Sequence, residues 1–440
     1  MLTWKEYRGL LGKVMRERGV RWTVGRAIAV TGRWIAGERQ DVQRVPGHPF
    51  PAFPIYDEAI AWNQALNQQF LRERPPIRRA VWVLPDFAAV SNGGPNTLLR
   101  FAHHWADQGV ETTIVVVDAT IHRTSQALAT EVRKGFGWHP KVRFVVGNVA
   151  GQLFDEACLP ESDACVASLW TTAYYCLTYT RTRSKWYFIQ DYEPLFYPAG
   201  VEYALAAATY EFGYLGIVNT PGLYEYVRQH HPDFQGIAFV PGVDTDVFHA
   251  EGRAPWPEDG PFRVFFYGRP GVPRNMFELG VTAMHQVFQR LGSRVEFLVA
   301  GWSDYPAGLP PTAQALGYLP YAETGALYRR CHAGMAFMAT PHPSYLPLQL
   351  MACGAVPITT WNPATHWLLR PGVNSVECWP TPENLATAVE ALATDASQWD
   401  TLRDGALEAA RTLSWSAALD QVWTWVRGTP LGVAATQPPF

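Results

Sequence analysis

"DFAAVSNGGPNTLLRFAHHWADQGVETTIVVVD", residues 86–118, follows directly on "RAVWVLP", residues 79–85. Together they read as strand, loop, helix and strand. In the middle, Gly93 and Gly94 precede Pro95, a residue accepted at the first helical position. Leu98, Leu99, Ala102, Trp105 and Ala106 then recur at helical spacing, as one buried face requires. "RAVWVLP" and "TTIVVVD" are near-continuous β-branched or apolar runs, the composition of strands covered on both sides. A helix between two such strands makes them parallel neighbours. Bare N–H groups at the start of that helix suit an anion or a sugar hydroxyl. A glycine pair also serves plain turn chemistry, and this stretch alone leaves both readings open.

Outward from that unit the alternation continues. "VRFVVG", "DACVASL", "KWYFIQ", "LGIVNT" and "GIAFVPG" read as further strands of a first series; "FRVFFYG", "VEFLVAG", "GMAFMA" and "AVPITT" form a second. The break falls at "HAEGRAPWPEDGP", residues 249–261. The expectation is an α/β protein with two Rossmann-like parallel-sheet domains facing a cleft, over residues 51–250 and 261–415, and a C-terminal helix and tail over 416–440 that turns back on the first domain. In such sheets ligands sit beyond the carboxyl ends of strands, so the residues after each run are the candidates for chemistry.

Composition narrows the classes. A chain of 440 residues, 48% hydrophobic and 17% charged, can build two or three cores. Its net charge of −3 is unlike the strongly basic surface of a nucleic-acid binder. Cys158, Cys165, Cys176, Cys331, Cys353 and Cys378 show neither a C-x-x-C spacing nor a disulfide framework, which fits a reducing compartment. No apolar run reaches membrane-spanning length, and "MLTWKEYRGL" lacks the order of a signal peptide. A cytoplasmic protein is expected, with a place at the inner face of the membrane as a further option.

That option comes from residues 1–45, which hold ten Lys and Arg against four acids, a local charge of +6. Trp4, Tyr7, Leu10, Leu11 and Val14, then Trp22, Val24, Ile28, Trp34 and Ile35, follow a helical face beside the arginines. A basic helical extension over 1–50 could lie on anionic lipid. It could equally pack on the body of the protein or on a second copy in a homodimer. "VPGHPFPAFP", residues 45–54, reads as a linker.

The second domain opens "FRVFFYGRPGVPRNMFELGVTAMHQVF", residues 262–288. Arg269 follows the strand directly and Arg274 comes five residues later; Asn275 and Glu278 have the spacing of a helix N-cap and its reciprocal partner. Two guanidiniums beside a helix start can grip a diphosphate. The alternative is a surface arginine pair in a βα loop.

From residue 78 to 427 the ordered set of "GG" plus helix at 93–108, "PGVDTDVF" at 241–248, "GRPGVPR" at 268–274 and "LGYLPYAETGALYRRCHAGMAFMATPHPSYLPLQLMACGAVPITT" at 316–360 resembles the family 4 glycosyltransferases of the GT-B fold. Within that family, "WTTAYYC" at 170–176 and "KWYFIQDYEPLFYPAGVEYALAAATYEFGYLGI" at 185–217 resemble the WsaF-type rhamnosyltransferases, which use dTDP-activated L-rhamnose. The resemblance implies transfer of a deoxyhexose from a nucleotide sugar donor to a saccharide acceptor, with retention of configuration and without cofactor or metal. It places Arg269 and Arg274 on the diphosphate, with Tyr318, Ser344, Tyr345, Leu346 and Gln349 completing the donor site. Gly93, Gly94, Trp170, Thr171 and Tyr192 fall on the acceptor or phosphate side. The family's two glutamates, eight positions apart, fall on Pro341 and Gln349. Gln349 keeps hydrogen-bonding capacity for a ribose hydroxyl, whereas Pro341 keeps none.

With those carboxylates gone, the candidates for acid–base chemistry are Asp191 and Glu193 in "FIQDYEPLFYP". Their structural alternative is capping that loop or pairing with Arg181 or Arg183. The Asp244–Thr245–Asp246 triplet imitates a metal-binding Asp-x-Asp but lies in an interdomain connection, and the pairs His103–His104 and His230–His231 lack partners at ligand spacing. Besides the transferase, two readings stay open: a catalytically silent GT-B scaffold, favoured by the missing glutamates, and a sugar-nucleotide epimerase.

Overall fold

The computed structural model describes residues 55–303 and 308–428. The expected basic extension over 1–50, its membrane or subunit contacts, and the tail beyond residue 428 lie outside the described residues. Residues 55–428 belong to one compact unit.

The first sheet contains β1 (Arg79–Pro85), β2 (Glu111–Val117), β3 (Val142–Val146), β4 (Ala164–Ala167), β5 (Lys185–Ile189), β6 (Leu215–Asn219) and β7 (Gln235–Phe239) in the order β3-β2-β1-β4-β5-β6-β7. The second contains β8 (Phe262–Tyr267), β9 (Val295–Ala300), β10 (Ala313–Gly317), β11 (Ala333–Met335), β12 (Val356–Thr360) and β13 (Val376–Cys378), ordered β10-β9-β8-β11-β12-β13. Every pairing is parallel, from Arg79 opposite Glu111 to Thr360 opposite Cys378. Each sheet therefore has a switch point, β1/β4 in one and β8/β11 in the other, where neighbouring connections leave in opposite directions and open a crevice.

β10 and β13 are the strands that periodicity does not show. "AQALG" is an edge strand with two exposed residues and little β-branching, and "VEC" is only three residues long. Their neighbours, not their own side chains, hold them extended.

The helix Gly93–Asp107 buries Leu98, Leu99, Ala102, Trp105 and Ala106 on β1 and its neighbours, with Trp82 and Trp105 edge to face at 5.1 Å. After the second domain, the helix Trp415–Val426 lies on the first core through Ala418, Val422, Trp423 and Val426. There Arg74 donates to the Trp425 carbonyl at 3.0 Å and stacks on its indole. The two chain crossings pass so closely that a Cβ on Gly242 would lie 2.2 Å from the Trp415 nitrogen. Only glycine permits that approach.

The Asn275–Glu278 capping box does not form. Pro273–Asn275 makes a 3-10 turn, Met276 follows in a left-handed conformation, and the helix starts at Phe277. Asn275 is buried with its amide on the Met338 sulfur at 3.3 Å, because the turn directs it into the domain instead of along the helix axis.

Candidate active site

Both switch points open onto one cleft of about 470 Å³. β1 delivers Asp86 and Phe87, β4 delivers Ser168 and Leu169, β5 delivers Gln190 and Asp191, and β6 ends in Asn219. The second sheet supplies Tyr267 at the end of β8 and Arg269 after it, and Met338, His342, Ser344 and Tyr345 beyond β11. Gly93, Gly94, Glu193 and Arg274 also line it.

Arg269 and Arg274 are half-buried, and among the described residues neither lies in an ion pair with a carboxylate. Arg269 lies over Tyr267 at 5.7 Å, and Arg274 crosses the cleft to stack on Phe196 at 4.6 Å. Burial lowers the pKa of Arg274, Asp191 works against that, and Arg269 adds to it. Two guanidiniums that repel one another in a partly dry cleft form a site whose electrostatic complement is an anion.

Asp191 and Glu193 are both buried. Asp191 Oδ2 accepts from the Thr340 hydroxyl across the domain boundary at 2.6 Å. Burial raises its pKa from the ordinary 3.8 to about 6, with Thr340, the Tyr192 N–H and Arg274 pulling the other way. Glu193 Oε2 accepts from the Trp170 N–H at 2.6 Å and the Tyr187 hydroxyl at 3.0 Å. It thus closes the start of the helix Trp170–Leu177, while burial raises its pKa from 4.5 to about 8. Neither acid pairs with Arg181, which donates to the carbonyls of Glu156 and Leu159, or with Arg183, which lies 3.8 Å from Asp163.

Because the native state keeps these two protons where the unfolded chain releases them, their contribution to stability is whole below pH 4 and falls as pH rises, through about 6 for Asp191 and about 8 for Glu193. Glu193→Gln, whose amide oxygen can still accept from Trp170 and Tyr187, is expected to flatten the fall in Tm between pH 6 and 8. Calorimetric scans of parent and variant with the same pH dependence would show that Glu193 is ionised in the fold.

Tyr345 ties the cleft shut at its back. Its hydroxyl is 2.6 Å from Thr97 Oγ1 and accepts from Asn219 Nδ2 at 2.7 Å, and both partners belong to the first domain. Its ring lies against Gly93, where a Cβ would come within 3.2 Å of Cδ2; the Gly94 carbonyl accepts from Gln190 Nε2. Gly93 therefore admits a tyrosine from the opposite domain, and Gly94 packs beside Gln190 of its own. Tyr345→Phe strands the buried Asn219 amide N–H, while the Thr97 hydroxyl keeps its bond to the Gly93 carbonyl, and should lower stability by about 1–3 kcal/mol. An unchanged denaturation midpoint would show that water replaces the phenol.

His342 adds a feature that its place in a Pro-rich loop does not advertise. Its Nδ1 accepts from the Ser344 N–H at 3.0 Å, so Nε2 carries the ring proton, and Nε2 is buried without a partner among the described residues. Burial, then Arg274, lower its pKa to about 3, so the ring is neutral. The N–H of Ser344, a residue expected in the donor site, is consumed by this bond. Asp86 was likewise missed. Burial alone would raise its pKa, but N–H groups of Ile121, Thr120 and His122 and the His122 ring hold it at about 2. Its position straight after β1 is the signal that could have found it.

The remaining candidates lie elsewhere. Leu346 is in the core of the second domain, and Gln349 is half-buried on the same helix, outside the cleft lining. Tyr318 is 64% exposed near Trp302. Trp170 gives its indole N–H to the Tyr197 hydroxyl, Thr171 is half-buried beside it, and Tyr192 is buried on Tyr210 with its hydroxyl 3.0 Å from His231 Nε2. Asp244 is held by Arg100 at 2.7 Å and by the Tyr321 hydroxyl at 2.6 Å. Among the described residues no group of three or more His, Cys, Asp or Glu is placed to hold a metal ion, and no helix is long and apolar enough to cross a membrane.

Two doubly wound domains with a cleft between their switch points define the GT-B fold. Sucrose-phosphate synthase from Thermosynechococcus elongatus shares it at TM-score 0.62 and 14% identity, over 80% of this chain and 98% of that one. The HepE protein of Anabaena, in complex with UDP and glucose, matches at TM-score 0.62 and 14% identity, over 80% and 100%. Models of the WsaF N-terminal and WsaF C-terminal domains match residues 87–220 and 262–390, together more than half of the chain. The chain belongs to the WsaF family of glycosyltransferases. A curated relative, the O-antigen biosynthesis protein RfbC of Myxococcus xanthus, is 40% identical over 369 residues, which are 83% of this chain and 28% of that much longer protein.

Proposed function

We propose that this chain transfers a sugar, as a deoxyhexose L-rhamnose from dTDP-rhamnose, to a saccharide acceptor during assembly of O-antigen or a related surface polysaccharide. The observation that carries the reading is the pair Arg269 and Arg274, two half-buried cations without a carboxylate ion pair among the described residues, lining the cleft that Asp191 and Glu193 also line. The family, the O-antigen relative and the UDP-bound neighbour support a nucleotide sugar as donor. In this reading the guanidiniums stabilise the diphosphate as the glycosidic bond breaks, when its charge grows. Asp191, ionised above pH 6, offsets positive charge on the sugar ring. Glu193, largely protonated at neutral pH, fixes the loop and the helix beside it. The leaving diphosphate assists removal of the acceptor proton, with retention of configuration.

Pro341 and Gln349 favour a second reading, a GT-B protein that binds nucleotide sugar or glycan without transfer, since the family's carboxylates are absent there. Incubation with dTDP-rhamnose and other nucleotide sugars, with and without rhamnose-terminated acceptors, separates the readings by mass spectrometry. A product heavier by one deoxyhexose supports transfer. Release or isomerisation of the sugar without acceptor, or binding with no product, replaces it by the epimerase or the scaffold.

A further inference from the structure

A second cleft, of about 530 Å³, lies behind the loop that closes the first. Met338 lines both. The partition between them is the hydrogen bond from Thr340, which lines the second cleft, to Asp191, which lines the first. Its volume is within the roughly 300–1,000 Å³ typical of ligand sites. One wall is Trp361, stacked on Trp379 at 5.3 Å and 25°, with the two indoles 52% and 60% exposed. The facing wall is the helix Pro221–His230, which presents Glu225 and Gln229, one turn apart and both exposed, with Tyr226 between them.

The chemistry differs from that of the first cleft. Two arginines line the first, whereas among the described residues no Lys, Arg or His lines the second, where Glu225 is the one charged group. An anionic ligand is disfavoured there. A ligand with a flat apolar face for the indole and neutral hydroxyls for a carboxylate and an amide fits; these are the two surfaces of a pyranose ring. Two large apolar rings held against one another and open to water also mark a surface kept for a partner.

We propose that this second cleft binds the saccharide acceptor one or more units behind its reacting end, with Trp361 as the stacking platform and Glu225 and Gln229 as hydroxyl partners. The proposal rests on the reading of the chain as a saccharide-directed transferase. It makes acceptor length, more than the terminal sugar alone, the quantity this protein reads.

The test is calorimetric titration of the whole protein with rhamnose-built oligosaccharides from monosaccharide to hexasaccharide, with dTDP titrated separately. Affinity should rise with length in the parent. Trp361→Ala should lower affinity for the longer members by about tenfold and flatten the series, Trp361→Phe should restore most of it, and dTDP binding should be the same in all three. A length dependence that survives Trp361→Ala overturns the proposal, as does a parent that binds none of the oligosaccharides. Absence of dTDP binding in the parent counts instead against the proposed donor, and the oligosaccharide series still decides the second cleft.

Discussion

Replacing Arg269 and Arg274 together by alanine is expected to weaken binding of dTDP by about a hundred- to ten-thousandfold. Each charge-assisted contact to a phosphate is worth about 1.5–3 kcal/mol, and 1.4 kcal/mol is a factor of ten. Arg274→Ala alone should cost about ten- to a hundredfold. The fold should tolerate both changes, since the guanidiniums oppose one another and Arg274 gives up its stacking on Phe196 and its attraction to Asp191. Affinity in the parent should fall with salt, and that dependence should shrink in the double variant. Equal affinities by calorimetry would remove the pair from the donor site, and the proposed activity would lose its main support.

Asp191→Asn is expected to lower turnover by about a hundredfold or more with donor affinity nearly constant, because the charge is needed as the sugar becomes positive. Asn keeps an acceptor for the Thr340 hydroxyl, so the domain contact survives while the charge does not. Thr340→Val is the converse change, breaking the contact and keeping the charge. Since Asp191 ionises at about 6, parent turnover should rise through that pH, and the rise should be absent in Asp191→Asn. If Thr340→Val lowers turnover as much as Asp191→Asn, the aspartate acts by holding the loop. If Asp191→Asn turns over at the parent rate, it has no part in the chemistry.

The two domains and most of their strands are legible because a strand covered by helices on both faces must be apolar along its length, a local property of the chain. "RAVWVLP" and "FRVFFYG" carry that signal; "AQALG" and "VEC" do not, because they are edge or very short strands held by their neighbours. Arg269 was legible for a related reason. It is the second residue beyond β8, and a position beyond a strand at a switch point faces the crevice whatever the rest of the fold does. The order of the motifs carried the family, since each motif is a contiguous stretch.

What only the tertiary structure decided depends on two surfaces meeting. Gly93 reads as a phosphate loop or a turn until Tyr345, 252 positions later, is seen lying against it and bonded to Thr97 and Asn219. Asp244, in a triplet that only imitates a metal motif, has no partner legible in the sequence until Arg100 and Tyr321 are seen bonded to it. The acidity of Asp191 and Glu193 is also set there, because burial in the folded protein moves the two carboxyls upward, against the downward pull of hydrogen bonds from Thr340 to Asp191 and from Trp170 and Tyr187 to Glu193. Alternation of apolar and polar residues reports which face of an element is buried; it carries no information about which distant element buries it, and the chemistry of this cleft is set by that second fact.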